Sequence, residues 1–182
     1  MFKIIVALGA ALAFSVACAQ DRASAASGTA GAATTVSAGD AKTMTPLDRV
    51  KATPKGQLKN PYTDDNAEIV AQGRKIYLGY SCNGCHGGMG GGGMCPPISN
   101  DTWVYGGDDD TLFRLVALGS VDLQKEGYTR KGTENVVGPM PPHGKLIKTD
   151  DELWKILAFL RSNYRGSPAK KFGSTPATPP PP

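Results

Sequence analysis

Two thiols two residues apart, followed at once by an imidazole, stand at Cys82-Asn83-Gly84-Cys85-His86. Thiols at this C-x-x-C-H spacing can each add to one vinyl group of a single haem, and the adjacent histidine then becomes the proximal iron ligand. The same residues admit two other readings, a redox dithiol and half of a zinc site. A dithiol needs no histidine at the next position and usually sits in a βαβ context, which this sequence does not offer. A zinc site needs more ligands, and Cys18, Cys95 and His143 form no second pair. One covalently attached haem is therefore the expectation.

A second stretch completes that chemistry. Met140 lies in Gly138-Pro139-Met140-Pro141-Pro142-His143-Gly144, where prolines remove backbone freedom on both sides. A weak thioether ligand must be positioned by the fold, and this setting suits one. His/Met ligation fills both axial positions and raises the reduction potential, which makes a carrier of electrons and not a binder of substrate. His143 keeps bis-His ligation open, and a loop methionine packed on the surface is the plain alternative. Cys95-Pro96-Pro97-Ile98 is a proline-stiffened turn that can offer a backbone carbonyl to the second ring nitrogen of His86. Trp103 and Tyr105 can wall the haem pocket or pack as ordinary core. Cys95 reads as a buried inert thiol, with an exposed, oxidisable one as the alternative. Asp108-Asp109-Asp110 invites calcium, but carboxylates before and within the first turn of a helix explain it as well.

Three helices must hold these residues. Asp65 and Glu68 have the spacing of a capping box, and Ile69, Val70, Gly73, Ile76, Tyr77 and Tyr80 then share one face. This predicts a helix from about Asn66 to about Gly79 that delivers the chain to the cysteines. Gly73 on the buried face lowers helix propensity, which calls for close approach of a second helix. The middle helix is expected over Thr111 to Leu118, ended by Gly119, with an irregular loop from Ser120 to Val137. The last opens with a second capping box, Thr149 to Glu152, and ends near Asn163. Between the first two helices, Gly87 to Met94 is a loop almost without side chains. No Lys-Ser/Thr follows it as phosphate binding would require, so it reads as backbone passing close to the haem edge or a partner surface, with Met89 and Met94 as filler.

The flanks are of a different kind. Met1-Phe2-Lys3 followed by an apolar run from Ile4 to Val16 and Ala17-Cys18-Ala19 has the form of a signal peptide over residues 1–19. A lipidated Cys18 is the rival, weakened by Ser15 three residues before it. Both send the chain out of the cytoplasm, to the periplasm. Gln20 to Asp40 is rich in Ala, Ser, Thr and Gly and reads as disordered linker. Ala41 to Pro61 is basic and interrupted by Pro46, Pro54 and Pro61, which forbid one continuous helix; it reads as a solvated tether or, above all in its second half, as an extended strap on the domain with Leu47, Val50 and Leu58 as weak anchors. Residues 168–182 form a Pro-rich tail read as disordered. Between Tyr62 and Ser167 there are 11 Lys and Arg against 13 Asp and Glu, so the formal net charge of +4 comes from the flanks. No basic stripe with interleaved aromatics appears, and nucleic acid is not expected as a partner.

Helix, C-x-x-C-H, proline turn, middle helix, Met-Pro loop and final helix together resemble a class I c-type cytochrome over about Tyr62 to Ser167. The resemblance implies a small all-α monohaem fold over residues 62–167 in which the N- and C-terminal helices cross. Gly73 and Tyr77 match the crossing positions of the first helix, and Ala158-Phe159-Leu160 matches those of the last. Cys95-Pro96-Pro97-Ile98 resembles the family's G-P-x-L turn, whose proline carbonyl bonds the proximal histidine, although Cys95 replaces the glycine. The glycine run, Pro96-Pro97, Trp103-Val104-Tyr105-Gly106 and Gly138 to Pro142 are similar to cytochromes c-L, which accept electrons from periplasmic PQQ-dependent alcohol and methanol dehydrogenases. That implies such a dehydrogenase as donor and another cytochrome c or a terminal oxidase as acceptor, with membrane association only if Cys18 is lipidated. A haem subunit of a larger oxidoreductase complex, or a haem enzyme or gas sensor with an open distal site, remains the alternative.

Overall fold

The computed structural model describes residues 44–99, 101, 103–132 and 138–173. The signal peptide, Cys18 and the linker expected over 20–40 lie outside them, as does the tail beyond 173. Five α-helices and no strand occur among the described residues: α1 Pro46–Ala52, α2 Ala67–Gly79, α3 Asn83–His86, α4 Asp109–Lys125 and α5 Asp150–Ser162. The all-α expectation holds.

The crossing of α2 and α5 is the centre of the packing. Gly73 lies flat against α5: a Cβ there would sit 2.0 Å from the Lys155 carbonyl oxygen and 3.0 Å from the Phe159 Cβ. One turn on, the Tyr77 and Phe159 rings meet with centroids 5.3 Å apart. Both rings are buried, as are Leu153, Ile156 and Leu157 of α5. The helix ends follow local chemistry. Thr149 caps α5, its hydroxyl accepting from the Glu152 N–H. At α2 the cap is Asn66 rather than the expected Asp65. The Asn66 side chain accepts from the Glu68 and Ile69 amides, while Asp65 accepts from the Thr63 hydroxyl.

Two expectations need correction. The strap does contain a helix, α1, because Pro46 stands at its start, where a missing N–H costs nothing, and Pro54 lies beyond its end. Val50 and Leu58 are buried anchors, and Arg49 reaches a fully buried Asp150 at 2.6 Å. The middle helix runs past Gly119 to Lys125, so the first residues of the expected loop are helical. Gly119, with φ 74° and ψ 168°, breaks α4 without ending it. The beginning of the tail is also placed, with a 3₁₀ turn at Pro168–Lys170 and Phe172 under the Arg161 guanidinium.

The three aspartates serve the fold. Asp108 caps α4 through the Thr111 N–H, and Asp109 pairs with Arg161. Asp110 is buried, accepting from Arg114 at 2.9 Å, Tyr128 at 2.6 Å and the Leu58 N–H at 3.2 Å. No group of three or more His, Cys, Asp or Glu side chains placed to hold a metal ion occurs among the described residues.

Candidate haem site

A cavity of about 620 Å³ opens between α3, α4, α5 and the loop carrying Met140. That volume lies within the range of cofactor pockets. Cys82, Cys85 and His86 form one wall, and Met140 stands in the lining contributed by the 138–143 loop. Trp103, Tyr105, Leu112, Leu157 and Leu160 make much of the remainder apolar.

The C-x-x-C-H segment reaches this wall by a sharp reversal after α2. Ser81 takes φ 60°, the one described non-glycine residue with positive φ, and the Cys82 N–H then bonds back to the Tyr77 carbonyl at 3.2 Å. Both motif thiols are free and partly buried. Burial, with the neighbouring Cys85, pushes the Cys82 thiol above its ordinary range. A working redox dithiol needs a depressed pKa, so this environment disfavours that reading.

His86 is oriented from behind. Its Nδ1 lies 3.1 Å from the Pro96 carbonyl oxygen. A carbonyl can only accept, so Nδ1 carries the proton and Nε2 keeps its lone pair for a metal. Burial lowers the His86 pKa, outweighing the Pro96 hydrogen bond that raises it, and this keeps the ring neutral as ligation requires. Cys95 replaces the resembled family's glycine without disturbing the turn. Its φ is not positive, and its N–H bonds to the Cys85 carbonyl at 3.1 Å.

The glycine loop is more ordered than its composition suggested. Gly92 donates to the His86 carbonyl at 2.9 Å and Ile98 to the Gly90 carbonyl at 2.8 Å. Gly90 is buried, and a Cβ there would meet the Ile98 side chain at 2.7 Å. Met89 and Met94 are exposed rather than filling core.

The donor set fits a haem. It supplies two thiols for vinyl groups, an imidazole with a free nitrogen, a thioether in the same cavity and apolar walls. Trp103 adds an independent sign: its indole N–H is buried without a protein partner, alone among the described lining residues. A haem carboxylate is an acceptor that could meet it. Trp103 stacks on Tyr164 at 5.6 Å, and the Tyr105 hydroxyl accepts from Gln124 at 2.5 Å. His143 also lines the cavity, with Nδ1 2.8 Å from the Pro141 carbonyl of its own loop. The residues that hold the Met140 loop, Gly119 and Ser120, were not read as site residues in the sequence. The only signal was a glycine inside an apolar helical pattern.

The sequence model of the family described as Cytochrome c matches residues 70–163, more than half of the chain. The chain is 28% identical over 127 residues to the cbb3-type cytochrome c oxidase subunit FixP of Sinorhizobium medicae (strain WSM419), covering 64% of this chain and 41% of that relative's length. Among solved structures it is similar to cytochrome cL of Methylophaga aminisulfidivorans MPT, with 25% identity, a TM-score of 0.45 and coverage of 59% and 61% of the two chains. Cytochrome cL of Hyphomicrobium denitrificans gives 28% identity, a TM-score of 0.45 and coverage of 61% and 56%. The chain thus spans about two fifths of the curated relative and under two thirds of each solved chain. On the family match, borne by a segment that holds the C-x-x-C-H motif and Met140, this chain belongs to the cytochrome c family: it binds haem c and carries electrons.

Proposed function

We propose that this chain is a periplasmic one-electron carrier with a closed, His86/Met140-ligated haem. Cys82 and Cys85 form the thioether links, His86 is the proximal ligand and Met140 the distal one. The haem supplies the redox chemistry; the chain supplies ligands, burial and docking. Pro96 fixes the His86 ring through its carbonyl, and Trp103 donates to a haem carboxylate while Tyr105 walls the pocket. The observation that carries the reading is an apolar cavity lined by both His86 and Met140. The domain would comprise residues 62–167, preceded by a cleaved signal peptide (1–19) and the linker with its strap (20–61), and followed by the tail (168–182). No helix among the described residues is long and apolar enough to cross a membrane.

For the donor we infer a PQQ-dependent alcohol or methanol dehydrogenase, and for the acceptor another cytochrome c or a terminal oxidase. The support is the c-L-like run of motifs from Gly87 to Gly119 and around Met140. Stopped-flow reduction of the haem protein by purified dehydrogenases of this class tests it. Rapid, saturable reduction is expected, and failure with all of them removes that donor class. The FixP likeness favours a second reading, a haem subunit held in a larger complex. Native mass on extraction separates the two: a carrier runs as a free haem-bearing chain, a subunit with its complex.

A further inference from the structure

In an unbroken α4, the Val116 carbonyl would accept from the Ser120 N–H, and the Ala117 carbonyl from the next amide. The break at Gly119 redirects both. The Ser120 N–H bonds to the Met140 carbonyl at 3.0 Å. The freed Val116 carbonyl accepts from the His143 N–H at 2.9 Å, and the Ala117 carbonyl from the Gly144 N–H at 3.0 Å. The Ser120 hydroxyl accepts from the Met140 N–H at 3.0 Å. Four hydrogen bonds therefore tie residues 140–144 to one interruption in one helix. Pro141 and Pro142, between the tied residues, have no N–H left to satisfy.

The approach needs glycine twice over. The backbone at Gly119 is left-handed, and a Cβ there would lie 2.7 Å from the Met140 oxygen, 2.8 Å from the Pro142 nitrogen and 2.9 Å from the Pro141 carbonyl carbon. Ser120 is buried, and it lines the same cavity as Met140 and His86. Met140 is thus held by its own N–H and its own carbonyl, one on each side of the Cα that carries the thioether. A weak ligand stays bound only if its backbone is already in place.

We infer that the break at Gly119 is the device that sets the distal ligand: Gly119 and Ser120 are positioning residues for Met140, acting through its backbone without touching iron. This rests on the proposal that Met140 is that ligand. The test titrates the full-length oxidised haem protein with imidazole, which competes for the distal position, while following the Met–iron charge-transfer band and the reduction potential. Ser120→Ala should bind imidazole about tenfold more tightly, the loss of one partly buried hydrogen bond at about 1.4 kcal/mol per decade. Its potential should fall, because the ferric state gains as the thioether loosens. Gly119→Ala should lose the band. If that variant does not assemble, Ser120→Ala alone decides. Unchanged imidazole affinity and potential in Ser120→Ala, with the band abolished in Met140→Ala, would overturn the positioning role and leave the ligand in place. A band that survives Met140→Ala would overturn the ligand reading itself, and this inference with it.

Discussion

Asp110 and Asp150 are both buried carboxylates beside an arginine, and their protons respond in opposite ways. At Asp110 burial raises the pKa, but hydrogen bonds from Tyr128, Gly56, Leu58 and Arg114 outweigh it and hold the carboxyl below its ordinary 3.8. Its contribution to stability is therefore full above about pH 3.8 and is lost as pH falls through the lower folded value. Asp110→Asn should cost about 3 kcal/mol at neutral pH, and its gap to wild type should narrow as pH drops below about 3.8. Denaturant unfolding of the haem protein at several pH values measures this, and a gap constant with pH would refute it. At Asp150, burial outweighs Arg49 and raises the pKa, so ionising that group works against the fold. Trp103 offers a second residue-scale test. Trp103→Phe keeps the stacking on Tyr164 but removes the unpartnered N–H. Haem should remain attached, with a potential shift on the order of tens of mV. An unchanged potential would mean that the indole does not reach the haem.

Helix packing shows how far pattern reading can go. Gly73 on an otherwise apolar face announced the crossing of α2 and α5, because only close backbone approach explains a glycine there. Gly73→Ala should destabilise by about 3 kcal/mol, since its Cβ would press on main-chain atoms that have nowhere to move. Thermal unfolding of the two proteins tests it, and a neutral effect would contradict the crossing. The Thr149 cap was legible for the same local reason. Gly119 was not, because a helix that stops at glycine and one that breaks and resumes look identical in sequence; only the Met140 loop, some twenty residues away, distinguishes them. The strap helix α1 was hidden by its prolines, which forbid a long helix but permit a short one between them. That Cys82, Cys85 and His86 share one cavity wall was legible because it depends on their spacing alone. The Pro96 contact was suggested by the turn, whereas the hold on Met140 came from nonlocal hydrogen bonds that no pattern records.

At the scale of the whole molecule, the proposed carrier function requires a haem closed to solvent ligands yet open to a partner at its edge. The glycine loop beside His86 belongs to that edge in this account. Its buried member, Gly90, cannot carry a probe without damaging the packing on Ile98, but Gly91 is exposed with open space around its Cα. Gly91→Glu should slow reduction by the donor about tenfold while leaving the visible spectrum unchanged. Equal rates would place docking elsewhere. The carrier reading stands or falls with closure of the iron by His86 and Met140. The most direct measurement is the visible and near-infrared spectrum of the haem protein, oxidised and reduced, with and without carbon monoxide. A low-spin spectrum with the Met–iron charge-transfer band and no response to the gas is the predicted result. A high-spin or gas-responsive spectrum would contradict it, and would leave an iron accessible to ligands in place of a carrier.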